Sequence, residues 1–221
     1  MTPAPAARGA FITLEGPEGA GKTTQIRPLA ERLSAAGRQV LTTREPGGTP
    51  AGEAIRRLLL EPRDEVLRPE TEALLFCAAR SELVQTVIRP ALGVGQVVLC
   101  DRFADATLAY QGHGRGLPRA ALDAANRLAT GGLAPDLTLL LDVDVAHGLE
   151  RRRGSGGEWN RFDADGEAFH RRVRAGYLEL ARADPERWVI VDAGRPIDAV
   201  ASDIWRAVAA RLVLPAPAAV P

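Results

Sequence analysis

One octapeptide constrains the fold of this chain more than any other feature: Gly16-Pro17-Glu18-Gly19-Ala20-Gly21-Lys22-Thr23. It follows the apolar run 11–15 and precedes an amphipathic segment that begins at Lys22. The spacing matches G-x-x-x-x-G-K-[ST], a loop that connects a strand to a helix and surrounds phosphate groups with backbone N–H groups. We therefore predict an α/β domain built around this loop.

Each part of the loop has an expected task. The N-terminus of the following helix adds partial positive charge, Lys22 is expected to reach the β- and γ-phosphates of ATP, and the Thr23 hydroxyl is expected to bind Mg²⁺. Glu18 is unusual, because a carboxylate repels phosphates unless it pairs with a cation or accepts a hydrogen bond. It is either such a partner, for an arginine, a sugar hydroxyl or a magnesium-bound water, or merely solvated. The predicted ATP-binding residues are Gly16, Pro17, Glu18, Gly19, Ala20, Gly21, Lys22, Thr23 and Thr24.

Short apolar runs alternate with longer amphipathic segments along the rest of the chain. The predicted strands are 11–15, 39–43, 96–100, 137–141 and 188–191, and the predicted helices are 22–36, 50–60, 70–92, 117–129, 145–153, 163–183 and 197–212. Apolar strands separated by helices indicate a parallel sheet covered on both faces. Right-handed crossovers make this a doubly wound, five-stranded α/β domain. Its ligands are expected beyond the carboxyl ends of the strands.

Composition narrows the class of protein. The 28 basic and 28 acidic residues cancel, so the chain has no general attraction to nucleic acid or to an anionic membrane. No apolar stretch approaches the roughly 18 to 20 residues of a membrane helix, and we expect a cytoplasmic protein. Cys77 and Cys100 lie in apolar runs and are expected to be reduced core residues. Ala/Pro-rich segments, 1–9 and 214–221, are predicted to be disordered tails around one domain, 10–213.

Three further segments carry charge where phosphates are expected. Asp101 and Arg102 end an apolar strand, where Asp101 would orient magnesium and Arg102 would face the transferred phosphoryl group or the acceptor phosphate. Arg44 begins the turn Arg44-Glu45-Pro46-Gly47-Gly48-Thr49 and is suited to a phosphate. Residues 153–162, rich in Gly and Arg, are predicted to form a lid. The alternatives are a surface salt bridge for Asp101 and Arg102, an ordinary turn with a solvated arginine for Arg44, and a solvated loop for residues 153–162.

Taken together, these motifs resemble bacterial thymidylate kinases over residues 9–212. The resemblance also rests on residues 75–80, 109–112, 135–138 and 141–143. It implies a P-loop nucleoside monophosphate kinase fold and transfer of the ATP γ-phosphoryl group to dTMP. The reaction requires Mg²⁺ and yields ADP and dTDP for dTTP biosynthesis. It also implies a homodimer formed through the long helices, including 70–92.

The resemblance assigns roles on the acceptor side. Phe76 would stack on thymine, Arg80 would donate to its O4 atom, and Thr107 would face N3. Tyr110 would occupy the space of a ribose 2′-hydroxyl, while Arg44 and Arg102 would hold the acceptor phosphate. Without the family, Phe76 and Arg80 read as a core residue and a solvated one. The dTMP-binding residues implied by the family are Arg44, Phe76, Arg80, Arg102, Thr107, Tyr110 and Gln111.

The resemblance further suggests the subtype in which the lid supplies a catalytic arginine, because Gly19 follows Glu18 and the loop itself holds no arginine. Arg161 is the best match and Arg153 the second. In three positions the chain departs from its relatives: Ala106 stands where Ser is frequent, Phe103 where His or Tyr is common, and Cys77 where some members carry an aromatic residue. The expected catalytic residues are Lys22, Glu18, Arg102, Arg161 and Arg153, and the expected magnesium ligands are Thr23 and Asp101.

Three other classes of protein remain to be weighed. Another nucleoside monophosphate kinase or a deoxynucleoside kinase is disfavoured by Phe76, Arg80, Thr107 and Tyr110, which suit dTMP. A P-loop GTPase would need Asn-Lys-x-Asp after a strand, which the sequence lacks. A nucleic-acid-binding ATPase is disfavoured by the zero net charge.

Overall fold

The computed structural model describes residues 9–61, 67–154 and 160–213. The predicted tails at 1–8 and 214–221, and residues 155–159 of the predicted lid, lie outside these ranges. Gly9 was assigned to the N-terminal tail, and this is wrong. It is buried, and its N–H donates to Leu92 O at 2.9 Å.

The described residues form a parallel sheet in the order β2-β3-β1-β4-β5, which confirms the doubly wound, five-stranded α/β prediction. The strands are β1 (Phe11–Glu15), β2 (Val40–Arg44), β3 (Val97–Asp101), β4 (Leu137–Asp142) and β5 (Trp188–Asp192). Strands β1, β3 and β4 are almost entirely buried, as expected of strands that helices cover on both faces. All five strands carry their carboxyl ends to the same edge, where the phosphate loop begins.

Helices cover both faces. They are α1 (Lys22–Ala35), α2 (Pro50–Leu60), α3 (Pro69–Leu83), α4 (Arg89–Gly93), α5 (Ala104–Thr107), α6 (Arg119–Thr130), α7 (Val145–Gly154), α8 (Glu167–Ala183) and α9 (Ile197–Leu212). On one face, Ile12 of β1 packs in a cluster with Leu33 of α1 and Ile204 of α9. On the other, Phe11 of β1 packs with Ile88. Alternate side chains of one strand therefore enter two separate cores.

The structure differs from the predicted helix 70–92. Helix α3 ends at Leu83, five residues of π-helix follow (Val84–Ile88), and α4 completes the run. Pro90 lies in the first turn of α4. It has no N–H to donate, and the widened backbone before it accommodates that loss.

A second π-helical segment lies near the site and was not predicted. Helix α5 continues directly into Leu108–Gly114. Its sequence is rich in Ala and Gly and has no clear apolar period, so no helical pattern was visible. π-Helical turns occur frequently at functional sites, and this one carries two of the residues assigned to the acceptor.

Two helices begin later than predicted. Helix α6 begins at Arg119, not at Leu117, because Pro118 disfavours a helical conformation at the residue before it. Helix α8 begins at Glu167, not at Asp163. The Asp163 carboxylate instead accepts from the Asn160 N–H at 2.9 Å. Among the described helices, none is long and apolar enough to cross a membrane.

Candidate active site

A cavity of about 1160 Å³ lies at the carboxyl edge of the sheet, against the phosphate loop. It brings together most of the residues assigned from the sequence. Those that line it are Glu18, Gly19, Ala20, Gly21, Lys22, Thr23, Thr24, Arg44, Phe76, Asp101, Arg102, Thr107, Tyr110 and Gln111. The assigned residues that do not line it are Gly16, Pro17, Arg80, Arg153 and Arg161.

The phosphate loop is held tightly between β1 and α7. Gly19 has φ 70°, and a Cβ atom there would lie 1.8 Å from Gly148 O of α7. Only glycine allows this approach in that conformation. Lys22 is buried, and its Nζ donates to Gly16 O and Pro17 O, both at 3.0 Å. The lysine is thus folded back along the loop where phosphates are expected.

Two oxygen donors for a metal meet at the ends of β3 and the loop. The Thr23 hydroxyl donates to Asp101 Oδ2 at 2.8 Å, and both residues line the cavity. No cluster of three or more His, Cys, Asp or Glu side chains suited to a metal occurs in the described ranges. Two oxygens next to a phosphate site fit Mg²⁺, which keeps several waters and uses phosphate oxygens as its other ligands.

Arg102 connects the loop to the acceptor side. It follows β3 with φ 67°, a left-handed conformation that is uncommon outside glycine. Its Nη2 pairs with Glu18 Oε1 at 2.9 Å, and its Nη1 donates to Gly16 O at 2.8 Å and to Tyr177 OH at 3.0 Å. Tyr110 OH donates to the same Glu18 oxygen at 2.8 Å. Glu18 therefore pairs with an arginine, which is one of the alternatives that the sequence left open for it.

The charged side chains in this group shift one another's pKa values. Burial opposes ionisation of Glu18, but Arg102, Lys22 and the Tyr110 hydrogen bond hold its pKa at about 2. Burial and the nearby Arg102 guanidinium lower the pKa of Lys22 to about 8. The site is thus a concentrated cationic environment in which the carboxylate stays ionised, and added phosphates would favour the charged lysine.

Behind Arg102 lies a hydrogen-bonded relay of Tyr177 and Glu15, which the sequence did not reveal. Tyr177 OH, which accepts from Arg102, donates to Glu15 Oε2 at 2.7 Å. The other oxygen, Oε1, accepts from the Phe103 N–H at 2.7 Å. Glu15 and Tyr177 are fully buried. In a sequence, an acidic residue at a strand end and a tyrosine on a helix carry no sign of this pairing.

A third arginine joins the two assigned to the acceptor phosphate. Arg56 of α2 lines the cavity with Arg44 and Arg102, and its Nη1 donates to Pro46 O at 2.9 Å. Burial and the neighbouring Arg44 guanidinium lower the pKa of Arg56. Arg44 donates to both oxygens of Glu53, at 3.0 and 3.1 Å. The sequence missed Arg56 because Glu53 and Arg56 are three residues apart, which is also typical of a solvated helix face.

The side of the cavity that carries the predicted dTMP-binding residues Phe76 and Thr107, the acceptor wall, is built on α3 and α5. Phe76 and Thr107 line the cavity, whereas Arg80 is only 1% exposed. Its guanidinium donates to Asn126 Oδ1 at 2.7 Å, to Phe103 O at 3.2 Å and to Thr107 Oγ1 at 3.1 Å. Its Nε donates to Glu45 Oε2 at 2.8 Å. Arg80 thus reaches the cavity through Thr107 in this structure.

The arginines around the lid have three different surroundings. Arg152 lines the main cavity and pairs with Asp163 at 2.8 Å. Arg153 lines a smaller, separate cavity. Arg161 turns away from the main cavity and pairs with Glu72 at 2.5 Å. Of the three consecutive arginines, Arg151 and Arg152 line the main cavity and Arg153 does not, and the sequence alone did not single out these two.

Strand order, the phosphate loop and the arginines Arg44, Arg56 and Arg102 that line the same cavity define the class as a P-loop phosphotransferase with a nucleoside monophosphate kinase fold. The profile of the family described as thymidylate kinase matches residues 14–204. A thymidylate kinase of Thermomicrobium roseum is 59% identical over 198 residues, which cover 90% of this chain and 93% of the relative. One of Deinococcus radiodurans is 53% identical over 206 residues, covering 92% and 98%. The chain belongs to the thymidylate kinase family.

The burial of Glu15 predicts a pH dependence of stability. Burial and the nearby Asp105 raise its pKa from 4.5 to about 8, against the hydrogen bonds that it accepts. The folded protein therefore holds this proton more tightly than the unfolded chain does. The resulting stabilisation is complete below pH 4.5 and is lost as the pH rises to about 8. Glu45, whose pKa burial raises to about 7, contributes in the same direction.

Replacing Glu15 by Gln should flatten this dependence. We expect the free energy of unfolding of the wild type to fall by more than about 1 kcal/mol between pH 5 and 8, and that of Glu15→Gln to fall by clearly less. Urea unfolding at several pH values measures both. Glu31→Gln, at an exposed pair with Arg27, should run parallel to the wild type. If the free energy of unfolding of Glu15→Gln depended on pH in the same way as that of the wild type, the assignment of this dependence to Glu15 would be contradicted.

Proposed function

We propose that this chain transfers the γ-phosphoryl group of ATP to dTMP, giving ADP and dTDP, and so supplies dTTP synthesis. The observation that carries the proposal is the Arg102–Glu18 pair, which joins the phosphate loop to a second wall in one cavity. Such a cavity is suited to two phosphorylated ligands placed end to end. Family membership and the names of the relatives support dTMP as the acceptor.

The proposed chemistry is mainly positioning and electrostatic stabilisation. A phosphate oxygen of dTMP attacks the γ-phosphorus, the bond to the β-phosphate oxygen breaks, and ADP leaves. Lys22 would neutralise charge on the β- and γ-phosphates. Arg102, with Arg44 and Arg56, would hold the acceptor phosphate in line. Thr23 and Asp101 would hold Mg²⁺, which when bound neutralises phosphate charge.

On the acceptor side, Phe76 would stack on the base, with Thr107 and Gln111 at its polar edge. Tyr110 supports exclusion of a ribose 2′-hydroxyl, because it is buried against Phe162 and is tied to Glu18. The role given to Arg80 by the resemblance becomes indirect in this proposal, since its donors already have acceptors within the protein. The single domain at 10–213, the lid at 153–162 and the cytoplasmic location stay predictions.

An assay of acceptors tests the function. With ATP and Mg²⁺, we expect ADP release to be fastest with dTMP among dTMP, dUMP, dCMP, dGMP and AMP, compared as kcat/KM. Thymine offers an acceptor at position 4 and an N–H at position 3, whereas cytosine offers a donor at position 4 and an acceptor at position 3. Binding of cytosine would therefore leave buried polar groups of the protein unpaired. Equal or faster turnover of another acceptor would sink the assignment to dTMP.

For the lid, we propose Arg152 as the arginine that stabilises charge on the transferred phosphoryl group. It lines the cavity, and the neighbouring arginine that also lines it, Arg151, donates to the backbone oxygen of Ala193 at 2.7 Å. Arg152→Met should lower kcat by about 10² with a smaller effect on KM. Arg153→Met, one residue away and on the smaller cavity, is the matched control and should stay near the wild type. A larger loss of kcat for Arg161→Met than for Arg152→Met would return the role to Arg161.

We also propose a homodimer. Leu74 of α3 is 64% exposed and Leu128 of α6 is 85% exposed, and these two helices pack against each other. Large apolar side chains on adjacent helices are suited to a symmetric contact. Sedimentation velocity should show a dimer for the wild type and a monomer for Leu128→Glu. A wild type that sediments as a monomer at micromolar concentration would contradict the proposal.

A further inference from the structure

Glu72 of α3 is a fully buried carboxylate that does not line the cavity. Burying an ionised group is costly unless hydrogen bonds and opposite charges compensate. Glu72 has three donors around it. Arg161 Nη2 lies 2.5 Å from Oε2, and Gln111 Nε2 and Arg115 Nε lie 2.7 and 3.5 Å from Oε1. Two guanidinium groups and one amide thus converge on a single carboxylate.

This arrangement fixes the orientation of the Gln111 amide. An ionised carboxylate only accepts hydrogen bonds, so the amide must present its Nε2 group to Glu72. The Gln111 Oε1 atom then points to the other side, and no donor within the described residues is bonded to it. Gln111 lines the cavity. It therefore offers an acceptor to whatever occupies the acceptor wall.

Thr107, one helical turn before Gln111, is fixed in the opposite sense, as a hydrogen-bond donor. Arg80 Nη2 donates to Thr107 Oγ1 at 3.1 Å, so this hydroxyl oxygen already accepts one bond and keeps its own proton to donate. Thr107 and Gln111 both line the cavity, four residues apart on one continuous helical run. Residues at this spacing share a face. The wall thus presents one donor and one acceptor.

We propose that Glu72 is a specificity-determining positioning residue: it locks Gln111 with its carbonyl oxygen towards the acceptor base. This inference rests on the proposed function. The 4-oxo group and N3–H of thymine match a donor and an acceptor placed side by side. Cytosine presents an amino donor and an unprotonated N3, and both would meet a group of the same kind. Arg161, which belongs to the predicted lid, acts through Glu72 in this scheme. The position of the lid and the recognition of the base are thereby coupled.

The variant Glu72→Gln inverts the lock without changing the size of the side chain. Arg161 and Arg115 can only donate, and Arg161 lies much closer to the carboxylate, at 2.5 Å from Oε2 against 3.5 Å from Oε1 for Arg115. The oxygen of the new amide therefore faces Arg161 and its nitrogen faces Gln111. Gln111 then turns its oxygen inwards and its nitrogen to the cavity. We expect the ratio of kcat/KM for dTMP to that for dCMP to fall at least about tenfold. The ratio for dTMP to dUMP should stay unchanged, because uracil has the same 4-oxo group and N3–H.

Two further variants separate this role from a structural one. Glu72→Asp keeps a group that only accepts, and should keep the dTMP-to-dCMP ratio even if its absolute rate is lower. Arg115→Met removes a nearby cation but leaves the Glu72–Gln111 bond, and should also keep the ratio. An unchanged dTMP-to-dCMP ratio in Glu72→Gln would overturn the inference. So would a parallel loss of both ratios, which indicates general damage to the wall.

A measurement on the wild type covers the case in which Glu72→Gln does not fold. The side-chain NH₂ protons of Gln111 should exchange slowly with solvent, at nearly the same rate with and without dTMP, because the nitrogen faces a buried carboxylate. Fast exchange that dTMP slows strongly would place the nitrogen in the cavity and overturn the inference. Failure of the proposed function is a different result, since the wild-type enzyme would then prefer an acceptor other than dTMP before any variant is made.

Discussion

The guanidinium group of Arg102 is the contact on which the site depends. It touches the backbone and a carboxylate of the phosphate loop, through Gly16 and Glu18, and the hydroxyl of Tyr177 on α8. It also lies 4.9 Å from the centre of the Tyr110 ring. One side chain thus connects the end of β3 to the phosphate loop, the π-helical segment and α8. The left-handed backbone at Arg102 turns the chain so that this is achieved directly after β3.

Buried and partly buried charge is organised in pairs throughout the acceptor side. Arg80 with Glu45, Arg102 with Glu18 and Arg161 with Glu72 each place a cation against a carboxylate at 2.5–2.9 Å. Removing one partner of such a pair leaves a desolvated charge, which typically costs several kcal/mol. The pairs therefore hold neighbouring groups in one orientation. Glu45 Oε1, which is buried and has no partner among the described residues, shows that this compensation is incomplete at one point.

The sheet and the phosphate loop could be predicted from the sequence because both depend on local order. An apolar run next to G-x-x-x-x-G-K-[ST] defines β1 and the start of α1 without knowledge of the rest of the chain. The segment after Arg102 was not predictable in this way. Its helical character depends on packing against α8, and its π-helical geometry leaves no apolar period in the sequence.

The roles of arginines were the hardest part to predict. The sequence contains many of them, and their partners are far away along the chain: Glu72 and Arg161 are 89 residues apart. Glu15 and Tyr177 are 162 residues apart, so only the fold reveals the relay behind Arg102. Phe76, Thr107, Tyr110 and Gln111 line the cavity, where the family resemblance expected substrate contacts. Arg80 lies one layer behind it, because the fold surrounds its guanidinium with acceptors.

We propose that Tyr177 and Glu15 hold Arg102 in position for the acceptor phosphate. Calorimetric titration of the wild type and of Tyr177→Phe with dTMP and with thymidine, which lacks the phosphate, tests it most directly. The relay predicts that Tyr177→Phe weakens dTMP binding by about tenfold and leaves thymidine binding unchanged. Equal weakening of both ligands, or unchanged binding of dTMP, would contradict it.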